Sequence, residues 1–161
     1  MEETRQIPPL RMLLMASILS LLASCSGGFG GGRLPGVVYS TLPELVDPNE
    51  RYVFYIHGKI IEDQGRGAVS EEFGPYDVDA ILKYLADAGF AVIGEFRTGP
   101  TDVDAYSDRV LMQIHTLLDA GVAPEKLTII GFSKGGYITL LSSSKLADAR
   151  LNYVAIGICV D

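Results

Sequence analysis

From residue 37 onward, short runs of β-branched and aromatic residues alternate with longer stretches whose apolar positions recur at three- and four-residue intervals. The short runs read as strands at 37–40, 52–56, 91–96, 127–131 and 153–160. Between them the spacing predicts helices. Pro75 at a first-turn position opens one that carries Val78, Ile81, Leu82 and Leu85 on a single face, and Gly89 closes it as a left-handed cap. Thr101 reads as the N-cap of a second, with the stripe Val103, Tyr106, Val110, Ile114 and Leu117 running to Gly121 and Pro124. A third follows Ser133, with Tyr137, Leu140, Leu141 and Ala147 as its apolar face. Strands alternating with helices predict an α/β fold: a mostly parallel sheet with helices on both faces, linked by right-handed crossovers. No internal repeat is visible.

Upstream the pattern changes. Arg5 and Arg11 precede an uncharged run over 12–23 (MLLMASILSLLA), too short to span about 30 Å of hydrocarbon at 1.5 Å per residue. It reads as the apolar region of a secretory signal occupying 1–24. The segment Leu22-Ala23-Ser24-Cys25 resembles the lipobox of bacterial lipoproteins, which implies that Cys25 is diacylated and becomes the mature N-terminus. A plain signal peptide beside an incidental cysteine is the alternative. Residues 26–36 (SGGFGGGRLPG) have no periodicity and read as a flexible tether reaching about 17 to 20 Å. The expected organisation is therefore a signal at 1–24, an anchor and tether at 25–36, and one domain at 37–161. A lipid-anchored place in the bacterial envelope follows. Ser26 stands where an aspartate favours inner-membrane retention, so the outer membrane is preferred. The remaining cysteine, Cys159, lies in an apolar run, and with Cys25 lipidated no disulfide can form.

Charge narrows the partners. The chain of 161 residues carries 13 Lys and Arg against 20 Asp and Glu, a net charge of −7, and 48% of it is hydrophobic. Removing 1–24 takes away Glu2, Glu3, Arg5 and Arg11, so the balance is unchanged. A chain of this composition is neither disordered nor a disulfide scaffold. It has no basic stripe with which to hold phosphates, so nucleic acid is not an expected partner.

Candidate chemistry enters at 127–136 (LTIIGFSKGG). Gly131-Phe132-Ser133-Lys134-Gly135 fits G-x-S-x-G between an apolar strand and a small-residue helix start. In that context the serine sits on a tight, strained turn with its hydroxyl above the sheet, and the glycines remove side chains that would strike neighbouring backbone. An ordinary exposed serine in a Gly-rich turn is the plainer account. A second signal is His57-Gly58-Lys59 at the end of the Tyr52 strand. With these two motifs the chain resembles the N-terminal part of the α/β-hydrolase superfamily over about 37–160. The resemblance implies that Ser133 is a nucleophile and that the backbone N–H groups of Lys59 and Lys134 form an oxyanion hole. Arg97-Thr98-Gly99 resembles the family's Arg-Gly turn, whose arginine braces the His-Gly loop. Where the family has an aspartate before that arginine, this chain has Glu95-Phe96.

His57 is not read as the general base, because in the family that histidine follows the nucleophile and lies near the C-terminus. His115 falls within a helical stripe and reads as an ordinary solvent-facing side chain. Two histidines and two separated cysteines form no metal cluster, and no cofactor is expected. Only 28 residues follow Ser133, whereas the acid and histidine of such a triad ordinarily come on two further strand ends. The expectation is a C-terminally incomplete domain. Asp161 is either the triad acid, as in a minority of the superfamily, or a solvated strand end. The charged stretch 59–74, with Glu62, Asp63, Glu71 and Glu72, reads as a loop that either borders an active-site mouth or is merely solvated. At a mouth it would disfavour anionic substrates. The Lys134 side chain is expected to point away from Ser133, leaving only its backbone N–H a role. These readings converge on a serine hydrolase of small-molecule esters, inactive or weak without its histidine. The alternative is a non-catalytic binding module on the same fold.

Overall fold

The computed structural model describes residues 35–158. The signal region 1–24, Cys25, most of the Gly-rich stretch, Cys159 and Asp161 lie outside the described residues. The elements in chain order are β1 (Val38–Tyr39), β2 (Tyr52–Ile56), α1 (Lys59–Gln64), β3 (Val69–Ser70), β4 (Gly74–Pro75), α2 (Val78–Asp87), β5 (Ala91–Ile93), α3 (Val103–Asp119), a 3-10 turn (Pro124–Lys126), β6 (Leu127–Phe132), α4 (Lys134–Leu146) and β7 (Asn152–Ile156). Five strands pair in the order β1-β5-β2-β6-β7, all in parallel, while β3 and β4 form a separate antiparallel pair.

The central strand explains the layering. All five residues of β2 are buried, because its alternate side chains enter two different cores. Tyr52, Phe54 and Ile56 join Ile93, Leu127 and Ile129 against Val110, Ile114 and Leu117 of α3 and Ile138 of α4. Tyr55, with Val92, packs against Ile61 of α1 and Val78, Leu82 and Ala86 of α2. Each fully buried aliphatic side chain contributes roughly 1.5 to 3 kcal/mol, so the two cores hold the strand ends at fixed heights.

Several boundaries differ from the sequence expectation. Pro75 does not start a helix. It pairs in β4 with Val69, and α2 begins at Val78, where the Asp77 carboxylate accepts from the Ala80 N–H at 2.9 Å. Asp102, not Thr101, caps α3, accepting from the Ala105 N–H at 2.8 Å. The strand expected at 91–96 ends at Ile93, since Glu95 turns to Arg109 and Tyr106 while Arg97 turns inward. The stretch 59–74 is not a plain loop: it holds α1 and the β3–β4 pair, and Ile61 and Glu62 are buried. On α4 the expected apolar face is wrong. Tyr137 and Leu140 are exposed, and the buried face is Gly135, Gly136, Ile138, Thr139 and Ser142. Its hydroxyls are satisfied locally, Thr139 donating to the Gly135 carbonyl at 3.0 Å and Ser142 to that of Ile138 at 2.8 Å. Small side chains let α4 lie close to the sheet and to α3, where Ser107 and Ser142 hydroxyls meet at 3.0 Å.

Among the described residues β7 is an edge strand, and it lacks charge and proline. Val154 and Ile156 are 40% and 46% exposed. Such an edge offers unpaired backbone groups and apolar surface to other chains. Val154→Lys should therefore lower self-association and hydrophobic-dye binding while moving unfolding stability by less than about 1 kcal/mol. Sedimentation and dye fluorescence that match the parent chain would show that this edge is not adhesive.

Candidate active site

Three loops at the C-terminal ends of β2, β5 and β6 meet around Ser133. The serine has φ 52° and ψ −119°, a conformation that an L residue holds only when its surroundings impose it. Glycines make that possible. A Cβ on Gly135 would stand 1.9 Å from the Ile56 carbonyl oxygen, and one on Gly131 would stand 2.1 Å from the Gly135 oxygen. The turn is thus pressed onto β2 by contacts no other residue allows. The Ser133 N–H donates to the Ile156 carbonyl at 2.8 Å, tying the elbow to β7.

The His57-Gly58-Lys59 loop lies directly beside it. A Cβ on Gly58 would be 3.3 Å from the Ser133 Cβ and 3.3 Å from Phe132 Cδ1, so the two segments are in contact. Gly58 precedes α1 with extended backbone and no capping side chain, and Lys59 is the first residue of that helix. Lys134 is the first residue of α4. Each therefore carries an N–H among the unpaired donors of a helix start. The side chain of Lys59 pairs with Asp63 at the surface.

The same loops carry a charged cluster. Glu62, its side chain fully buried, accepts from Arg97 Nε at 2.8 Å and from Lys134 Nζ at 2.7 Å. Lys134 Nζ also donates to the Thr101 carbonyl at 2.7 Å. The Arg97 side chain, 2% exposed, donates a second time to the His57 carbonyl. Its Nη1 has no hydrogen-bond partner, and the guanidinium carbon lies 4.9 Å from the Tyr106 ring centroid, whose face offsets part of that loss. Burial acts to raise the Glu62 pKa, but the hydrogen bonds and charges of Lys134 and Arg97 prevail and hold it below the usual carboxylate value.

His57 belongs to the same framework. Its Nδ1 is 2.9 Å from the Gly58 carbonyl, so that nitrogen carries the proton, and Nε2 accepts from the Arg97 N–H at 2.8 Å. Phe96 stacks on the ring at 5.7 Å. Burial, with the Arg97 charge, lowers its pKa from 6.5 to about 4, so at neutral pH it is uncharged with both nitrogens engaged. His115 is exposed on α3.

The structure thus brings together Ser133, Gly131, Gly135, Lys134, His57, Gly58, Lys59 and Arg97. Asp161 lies outside the described residues. Two features escaped sequence reasoning: the burial of Glu62, grouped there with an acidic stretch read as either the border of an active-site mouth or a solvated loop, and the anchoring role of the Lys134 ammonium. A buried arginine needs a counter-ion, which was the one available hint, but nothing in the sequence selects Glu62 over Glu95. Glu95 instead pairs with Arg109 and accepts from the Tyr106 hydroxyl at 3.3 Å, so it takes no part in bracing Arg97. With Glu62 neutralised, the acidity of this stretch rests on Asp63, Glu71 and Glu72, all exposed. Among the described residues no three potential metal ligands converge.

No family model, no curated protein and no solved structure matches the chain.

The lowered pKa of His57 makes stability pH-dependent. The unfolded state takes up a proton near 6.5 and the folded state only near 4, so this contribution is complete above pH 6.5 and is lost as pH falls toward 4. The loss should approach about 3 kcal/mol. Denaturant midpoints measured between those limits should fall in the parent chain and lose most of that slope in His57→Asn. Glu62 adds a further loss as pH drops below 4.5. An equal slope in the histidine variant would place the linkage elsewhere.

Proposed function

We propose that the chain carries the nucleophile and oxyanion half of a serine hydrolase of small-molecule esters, on an α/β-hydrolase-like domain. The observation that carries this reading is the backbone of Ser133: a non-glycine residue held at φ 52° between Gly131 and Gly135 and against Gly58. Strain of this kind costs roughly 1 to 3 kcal/mol and concentrates where a side chain must be presented. In the proposed reaction Ser133 Oγ attacks the ester carbonyl carbon. The π electrons move onto the carbonyl oxygen, which the Lys59 and Lys134 amides receive, and collapse expels the alkoxide to leave an acyl-serine that water hydrolyses. The Ser133 proton needs an acceptor. His57 is neutral with both nitrogens bonded and His115 is exposed on α3, so neither is assigned that role. Both histidines of the 161 residues are thereby accounted for, and one supplied from outside them would add about 10² to 10⁴ in rate.

A fluorophosphonate probe tests the assignment. The chain should be labelled slowly, faster at higher pH, and not at all as Ser133→Ala. Addition of a complementing imidazole base should speed labelling only in the parent. Labelling that survives Ser133→Ala would refute the nucleophile. No labelling under any condition would favour the reading as a non-catalytic binding module.

The sequence upstream supports a proposed place for this activity. With Cys25 diacylated and 26–36 as tether, the domain would stand off a bacterial membrane, the outer one preferred. The precursor expressed in a bacterium should incorporate labelled fatty acid and partition into detergent, and Cys25→Ala should abolish both. Incorporation that persists in the variant would overturn the anchor.

A further inference from the structure

We infer that Glu62 is the positioning residue of the oxyanion site, one carboxylate that holds the loop bearing the Lys59 N–H in register with the elbow bearing the Lys134 N–H. This rests on the reading of Ser133 as a nucleophile.

The two amides belong to separate helices. Neither helix fixes its own first residue. A helix of six residues is far below the length that is stable alone, and α1 has no capping side chain, so tertiary contacts decide where Lys59 stands. Ile61 is buried and Ile60 half-buried in the core beside α2, the Gln64 side chain accepts from the Val69 N–H, the Glu62 carbonyl accepts from the Gly99 N–H at 3.3 Å, and the Glu62 side chain enters the charged cluster. Ile61 fixes the depth of α1 but says nothing about its distance from the elbow. Glu62 supplies that: its Oε2 takes the Lys134 ammonium at 2.7 Å, and its Oε1 takes Arg97 Nε at 2.8 Å.

Arg97 closes the ring. Its side chain donates to the His57 carbonyl and its backbone N–H to the His57 ring, so the residue two before Lys59 is held by the same guanidinium that Glu62 holds. Starting from Glu62, one branch runs through Lys134 to the elbow and the other through Arg97 to the His57-Gly58 loop. Both return to the point where Gly58 touches Ser133. An oxyanion needs both donors within about 0.3 Å of their best distance, and two independently moving loops would not hold that tolerance.

Simple charge neutralisation is the competing account, and it makes a different prediction. If Glu62 only balanced buried charge, then cutting its bridges would lower stability alone, and the folded protein would label and exchange as the parent does. In Glu62→Gln/Lys134→Met the balance of the cluster is kept while the bridge is cut, and the Lys134 backbone N–H remains. Glu62→Asp keeps the charge but is one methylene too short to reach both partners. Two measurements on the full chain decide: fluorophosphonate labelling of Ser133, and amide hydrogen exchange at 57–61 and 133–135. The double variant leaves the buried Arg97 without a carboxylate and should unfold at a lower midpoint, yet under conditions where it is fully folded it should label about a hundredfold more slowly. The Ile61 and Ser133 amides, which donate to the Gly58 and Ile156 carbonyls, should exchange about tenfold faster while β2 and β6 exchange as before. Glu62→Asp should show the same two losses even if it is less stable. Parental labelling and exchange in the folded double variant, whatever its stability, would overturn the inference. If the parent itself is never labelled at Ser133, the hydrolase reading fails, and the exchange comparison alone decides whether Glu62 couples the two segments.

Discussion

A carboxylate removed from water is tolerated only where its charge is met, and the fold around Ser133 is arranged to meet that of Glu62. Its side chain has no exposure, and two cations from different parts of the chain converge on it. Taking away one partner of such a group leaves an uncompensated buried charge and costs about 3 to 5 kcal/mol, whereas replacing the whole set by apolar residues is often neutral. The cluster is therefore poor value as a source of stability alone. Under the positioning role inferred for Glu62 its worth is geometric, because the paired carboxylate fixes where its two cations stand. The surface pairs Lys59 with Asp63, Lys83 with Asp87, and Arg66 with Asp79 are the contrast. All are exposed, each contributes about 0 to 1 kcal/mol, and none joins two of the loops above the sheet.

Position in the sheet makes this clamp possible. β2 lies between β5 and β6, so the loops leaving the three strands emerge side by side at their C-terminal ends. Crossover helices must leave from there, and so the backbone donors of α1 and α4 are delivered to one place. The parallel register pairs Ile56 with Gly131, which sets the elbow directly beside the His57 loop. Gly135 then has room only because it lacks a Cβ, and the Ser133 backbone holds its positive-φ conformation with close approaches at Gly131, Gly135 and Gly58. The strain at the serine and the burial of Glu62 are thus two outcomes of the same crowding.

That origin also explains what could be read from the chain alone. β2 was legible to the residue, because a strand buried on both faces is a continuous apolar run, and the spacing in α2 and α3 marked their buried stripes. α4 misled because its buried face is made of glycine and hydroxyl side chains, which carry no apolar signal, while Tyr137 and Leu140 carry it outward. α1 escaped because six residues hold too little periodicity and because its inward side chain is charged. The elbow was readable since glycine spacing records local backbone demands. Glu62 was not, since its partners lie 35 and 72 positions away, and nothing local distinguishes it from Asp63 or Glu71.

The cluster leaves more positive than negative charge in the loops around the serine. Arg97 and Lys134 face one carboxylate, and His57 adds nothing because burial keeps it neutral. An oxyanion above the Lys59 and Lys134 amides would gain from that excess. A protonated imidazole beside Ser133 would lose by it. Under the proposed reaction the two demands oppose each other, because the proton acceptor becomes cationic at the same step in which the oxygen becomes anionic. A base serving this elbow therefore needs a carboxylate of its own on the far side of its ring, to hold the imidazolium against Arg97 and Lys134. Glu62 cannot be that group, since both of its oxygens are already committed to Arg97 and Lys134.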